Sequence, residues 1–100
     1  MELKFESYHE GFGSNLMCPY CGYNYVHHEE IEIFDRCEDE KAGLHVKIDA
    51  DGAASIDMDL HNNPSPRRHG LAIKIWCEGC DAKSTLTFVQ HKGMTYIDIN

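Results

Sequence analysis

The sequence has no long apolar run. Nothing in it approaches the ~20 consecutive apolar residues of a membrane-spanning helix. The opening Met1-Glu2-Leu3-Lys4-Phe5-Glu6 alternates in polarity where a secretory leader would be apolar. A soluble, cytoplasmic protein is therefore expected. Positive charge is also scarce: 9 Lys and Arg stand against 17 Asp and Glu, a formal net charge of −8 with neutral histidines. That balance disfavours a generic grip on nucleic-acid backbone, which rewards clustered Lys and Arg. Helical periodicity is almost absent. So are a P-loop, a Gly-rich dinucleotide fingerprint, a G-x-S-x-G element and an H-E-x-x-H element. What remains is a globular composition, 42% hydrophobic and 26% charged over 100 residues, suited to one domain spanning residues 1–100. A chain of this size buries a modest core and is often helped by a metal or a crosslink.

Five cysteines are present, and four fall into two C-x-x-C pairs, Cys18-Pro-Tyr-Cys21-Gly22 and Cys77-Glu-Gly-Cys80. Two intervening residues let both sulfurs of a pair turn toward one point while backbone N–H groups remain free to bond the thiolates. Two such knuckles facing each other make a sulfur-only tetrahedral site for one structural Zn²⁺, with ligands Cys18, Cys21, Cys77 and Cys80. The odd total and the missing leader argue against a secreted disulfide framework. A thioredoxin-like redox pair wants a helix after it, whereas Gly22 to Val26 and the residues before Cys77 are β-rich. Cys37 has no partner and is expected to be an ordinary free thiol.

The knuckles resemble those of the zinc-ribbon class, with C-P-Y-C-G close to the usual first knuckle and C-E-G-C to the second. The resemblance covers roughly a quarter of the chain. Residues 22–76, 55 residues, separate the knuckles, against about 15–20 in the familiar pattern. The resemblance thus implies a ribbon with a substantial β insertion, to which the functions of compact ribbons do not carry over. The order of segments around Asn63-Pro-Ser-Pro-Arg-Arg-His-Gly70 and Gln90-His-Lys-Gly93 also resembles small uncharacterised proteins of phage and prophage type.

Period-two alternation recurs along the chain. Strands are predicted at Leu3 to Tyr8, at Asn24 to Phe34 with a bulge at His27-His28, and at Leu71 to Trp76. Gly11 to Asn15 is read as a flexible turn. Leu44 to Ile48 and Ile56 to Leu60 form a hairpin through Asp51-Gly52, with Leu44, Val46 and Ile48 on one face and Ile56, Met58 and Leu60 facing inward. Ser84 to Val89 and Met94 to Ile99 form a second hairpin about Lys92-Gly93. The expected fold is all-β and mainly antiparallel, with six or seven strands, and residues 37–43 and 61–69 as loops.

Other residue clusters are weaker pointers. Seven histidines (His9, His27, His28, His45, His61, His69 and His91) raise an enzyme reading, but adjacent His27 and His28 point to opposite faces of a strand. His61-Asn62-Asn63 and His69 lie between the knuckles, as in some metal-dependent nucleases, yet no helix follows them. Asp49-x-Asp51-Gly52 opens like a calcium loop but lacks the later Glu. Seven acids crowd residues 29–40, a solvated face or a binding surface. Arg67 and Arg68 offer planar donors in a Pro-stiffened loop. With His69, His91 and Lys92 they form a candidate patch for a phosphate or an acidic segment, unless they pair with the acids of 29–40.

The resulting expectation is a non-enzymatic zinc-binding β domain that binds a macromolecule. The foremost partner is a protein, engaged as an accessory factor or as an inhibitor whose acidic face imitates nucleic acid. The alternative is a nucleic-acid-binding ribbon using Arg67, Arg68, Lys74, Lys92 and aromatics such as Tyr20, Tyr23 or Trp76. A metal-dependent nuclease is the second alternative.

Overall fold

A computed structural model describes the backbone of all 100 residues and every side chain except those of Tyr8 and His9, so the His9 ring lies outside the described residues. The chain folds into eight strands with no helix: β1 (Phe5–His9), β2 (Gly13–Leu16), β3 (Val26–Asp35), β4 (Leu44–Ile48), β5 (Ala54–Asp57), β6 (Gly70–Cys77), β7 (Lys83–His91) and β8 (Met94–Ile99). β1 and β2 form a two-stranded antiparallel hairpin, and the other six form one antiparallel sheet in the order β5-β4-β3-β6-β7-β8. The strand beyond the expected six or seven is β2. It occupies much of the segment read as a flexible turn, because Gly11 and Gly13 take positive φ and confine the reversal to the hairpin tip. The Asn15 side-chain amide then donates to Glu6 and to the Asn24 carbonyl, tying the hairpin to the chain that leaves the first knuckle.

The long spacing between the cysteine pairs follows from the topology. β3, β4 and β5 run as a meander, and the chain returns to lay β6 beside β3, which is a Greek-key order. β3 leaves the first knuckle and antiparallel β6 runs back into the second, with Val26 opposite Cys77. The intervening residues therefore build most of the sheet, and the pairing of β3 with β6 brings both knuckles to one end. A bulge shifts the β3–β6 register between His28 and Ile31, just beyond its expected position. The return connection, residues 58–69, runs at the opposite end. There Ser65 is buried and its hydroxyl donates to the Gln90 carbonyl, while Arg36 donates to the Ser65 carbonyl. Both expected hairpins form, and Gly52 and Gly93 supply positive φ at their turns.

Cross-strand partners share a face, so the registers sort the six-stranded sheet into two unlike sides. On one side Val46 lies opposite Ile33 and Ile56, Leu71 opposite Ile33 and Phe88, and Ile73 opposite Ile31 and Leu86. On the other side the rows are largely polar and charged. Glu30 pairs with Lys47 at 3.1 Å and with Lys74 at 2.8 Å, and Glu32 and Asp57 flank His45. Phe34 is fully buried on this side, against His45.

Leu44, Val46 and Ile48 share one face as expected, but the inward facing expected for Ile56 and Met58 is not found. The buried residue of β4 is His45, while Leu44 is exposed, Ile56 is 70% exposed and Met58 67% exposed. β5 also ends at Asp57, short of Met58 and Leu60. The alternation was real, but no second layer covers the side to which these apolar residues point.

Candidate metal centre

Each knuckle is built the same way. In the first, the Gly22 N–H donates to the Cys18 carbonyl, the Cys18 N–H to the Tyr23 carbonyl and the Tyr20 N–H to the Cys18 sulfur at 3.4 Å. In the second, the Asp81 N–H donates to the Cys77 carbonyl, the Cys77 N–H to the Ala82 carbonyl and the Gly79 N–H to the Cys77 sulfur at 3.3 Å. Gly22 and Asp81, the residues just after each second cysteine, both take positive φ, 75° and 59°. Cys-x-x-Cys followed by a left-handed residue thus closes a turn that aims two sulfurs one way. The two turns are joined by the Glu78 N–H, which donates to the Tyr25 carbonyl, and by the Tyr23 ring, which lies against Gly79 where a Cβ would fall 2.9 Å from it.

The four sulfurs converge. Cys18 Sγ is 3.7 Å from Cys80 Sγ, Cys21 Sγ is 3.6 Å from Cys77 Sγ, and all four lie within 4.8 Å of one another. A disulfide would require about 2.05 Å. A tetrahedron with metal–sulfur bonds of about 2.3 Å has edges of about 3.8 Å, close to the cross-knuckle distances. The four cysteines are therefore positioned to bind one metal ion. Cys18 and Cys77 are buried, and Cys21 and Cys80 face solvent.

Electrostatics favour a cation here. Burial pushes the Cys18 thiol up, but the N–H groups of Cys21 and Tyr20 and the thiols of Cys77 and Cys80 outweigh it, bringing it down to about 7. At Cys80 the Ala82 backbone N–H pulls the other way, but desolvation and the three neighbouring sulfurs push it up to about 12. Cys21 is raised as well: the Tyr23 N–H lowers it, but desolvation and repulsion from Cys77 and Cys18 prevail. Four sulfurs this close cannot all ionise without a compensating positive charge.

The other residues singled out in the sequence are placed as follows. Arg67 donates two hydrogen bonds to the Asp39 carboxylate, at 2.8 and 2.7 Å, and holds it below the usual carboxylate range. The His69 Nδ1 accepts the Arg36 N–H, and the His69 carbonyl accepts the Gln90 N–H, which brings the loop of Arg68 beside the turn of His91 and Lys92. Arg68 and Lys92 make no ion pair among the described residues. This end lies one length of β6 from the sulfurs, about 25 Å at the usual strand rise. The acids of 29–40 are largely paired: Glu29 with Lys83, Glu30 with Lys47 and Lys74, Glu32 with His45 and Asp39 with Arg67. Cys37 is exposed. His61, Asn62 and Asn63 lie in the return connection and lead into a strand, β6.

The sequence reading passed over two features. The first is the pairing of His45 between Glu32 and Asp57, for which no linear spacing signals. The second is the grouping of exposed Phe5, Phe12 and Tyr25 with Tyr20 and Tyr23, which the sequence had already offered as contact aromatics. Phe12, at the tip of the β1–β2 hairpin, is 95% exposed and lines a cleft of about 460 Å³ with Glu6, Asn15, Asn24 and Tyr25. Their number around Gly-flanked turns was visible in the sequence, but their convergence required the hairpin.

Comparison with known protein families, curated proteins and solved structures returns no match.

Proposed function

We propose that this chain is a zinc-ribbon-like β domain that works by binding another protein and not by catalysis. The observation that supports this most is the closed donor set. Four thiolates at tetrahedral spacing fill the coordination of one Zn²⁺ and leave no position for water or substrate, so the ion braces the fold. Soft thiolates select Zn²⁺ over the hard cations that nucleases of the carboxylate type use. The expected metal content is one zinc per chain, measured on purified, reduced protein. A chain holding no metal, or a redox-active one, contradicts this.

The contact surface in this reading is the aromatic end. Exposed Phe and Tyr side chains beside a rigid knuckle have the make-up of an interface anchor, with large area and little conformational freedom to lose. The cleft beside Phe12 would take a partner side chain or turn. The net charge of −8 weighs against nucleic acid as the partner. The pairing of most acids in 29–40 weighs against an imitation of nucleic acid. The loop end, with Arg67, Arg68, His69, His91 and Lys92, is the second candidate surface, favoured by the proximity of unpaired Arg68 and Lys92.

A photo-crosslinking residue at position 12 is expected to yield one dominant protein adduct in a host extract, lost when Tyr25→Ala is added. A residue at position 68 is expected to give none. Adducts from position 68 alone would move the interface to the loop end, and no protein adduct from either would contradict the reading. A cytoplasmic location and a phage or prophage origin remain part of this proposal.

A further inference from the structure

We infer that the apolar side of the six-stranded sheet is covered by a second copy of this chain, giving a symmetric face-to-face dimer of sheets. This inference does not depend on the protein-binding reading above, since the aromatic hairpin and the knuckles stay free.

The first argument is layering. A sheet with one apolar side must bury it against another layer. Here Val46, Ile48, Ile31, Ile33, Leu71 and Ile73 share one side with Leu86, Phe88 and Ile97 on the strands beyond. Only the part nearest the metal end is covered within the chain: Ile75 and Ile99 are buried, while Ile33, Leu44, Ile56 and Ile97 are exposed. A shallow cleft of about 350 Å³, lined by Ile33, Leu71 and Phe88, opens onto the same side.

The second argument is area. The chain exposes 6614 Å². A folded monomer of 11.4 kDa is expected to expose about 5,800 Å². The excess of about 800 Å² matches what each partner of a standard interface buries. The radius of gyration, 14.7 Å, also exceeds the ~13 Å of a compact 100-residue domain. The molecule has the surface of half an assembly.

The third argument is charge, and it selects the occupant. No Lys, Arg, Asp or Glu interrupts the apolar rows of β3, β6 and β7 between Ile31 and Ile33, Leu71 and Ile75, and Ser84 and Phe88. The carboxylate on this side is Asp35, at the end of the β3 row opposite Leu44 and 3.6 Å from His69, while the pairs of Glu30, Glu32 and Asp57 lie on the reverse side. Two copies can therefore meet about a twofold axis through the β6–β7 rows with no like charges opposed there, Asp35 falling at the rim and most of the other acids pointing outward. A lipid surface is a poor match because no basic rim surrounds the apolar rows and the net charge is −8.

Sedimentation equilibrium of the zinc-loaded full chain tests this with a matched pair of variants. Ile97 and Tyr96 are adjacent, are each 49% exposed, and point to opposite sides of the sheet. The wild type and Tyr96→Lys are expected at twice the chain mass, and Ile97→Lys at the chain mass, with dimer dissociation at least tenfold easier. Should Ile97→Lys fail to fold, Ile56→Lys on the short β5 strand replaces it, with the same expected loss of dimer. A wild type at the chain mass at tens of micromolar overturns the inference. So does an Ile97→Lys or Ile56→Lys variant that is folded and dimeric.

Discussion

At His45 both ring nitrogens meet carboxylates, Asp57 at 2.8 Å and Glu32 at 2.9 Å, and the ring lies flat on Phe34 with centroids 4.5 Å apart. Burial alone would lower its pKa, but the two carboxylates outweigh it and raise it above the usual histidine value. A raised pKa in the folded state means that protonation stabilises the fold. The contribution is complete below the unfolded value of about 6.5 and is lost as pH rises through the folded pKa. Titration of the His45 ring by NMR is expected to give a midpoint above 6.5, and His45→Phe is expected to remove the decline in stability above that pH. A midpoint at or below 6.5 would contradict the arrangement. Asp81 stands at φ 59° in the second knuckle where the first has Gly22. Asp81→Gly is expected to raise stability by up to about 1 kcal/mol in denaturant titrations, and Asp81→Val to lower it, because a β-branched residue tolerates that backbone poorly.

Among the glycines, the closest approach of another element is where β6 starts. A Cβ at Gly70 would fall 2.1 Å from the Asn63 side-chain oxygen and 2.8 Å from the Pro64 ring. Asn63 is itself held by the Ser65 N–H and bonds the Arg68 carbonyl, so it cannot swing away without undoing the loop. Gly70→Ala is expected to cost about 1–3 kcal/mol by equilibrium unfolding; a neutral substitution would show that the return connection is loosely placed. The elements also show how much could be read from the sequence. The β4–β5 and β7–β8 hairpins were legible because Asp51-Gly52 and Lys92-Gly93 sit between alternating runs. The knuckles were legible because Cys-x-x-Cys is a local geometry. β2 was not, since its Gly-Ser-Asn-Leu has little strand character and depends on Asn15 reaching Glu6 and Asn24. The exposure of Ile56 and Met58 was not legible because alternation reports that two sides differ, not which side the rest of the chain covers. Ile56 and Met58 obey the pattern and are still exposed.

For the molecule as a whole, the two ends of the β3–β6 pair are held in different ways. One end gathers four sulfurs, and the other is pinned by Arg67 on Asp39 and by Ser65 on Gln90. Because Cys18 sits at about 7 and Cys80 at about 12 without a cation, loading the site near neutral pH is expected to release protons, and affinity for the ion to fall with decreasing pH, more steeply below about 7 where Cys18 also competes for a proton. Isothermal titration in buffers of different ionisation enthalpy measures that release; loading with no proton release would contradict the crowding of thiols. The sheet alone is a thin scaffold, with five hydrophobic residues buried among those described, so an ion held by the four sulfurs would have much to offset. Structural zinc in small peptides contributes about 10–16 kcal/mol of apparent binding free energy. Thermal unfolding of the same sample before and after removal of the ion, with metal content assayed at both points, tests this dependence most directly. A cooperative transition in the loaded protein that is lost or falls sharply once the sulfurs are emptied is the expected result, and an unchanged transition in a chain shown to be free of metal would contradict it.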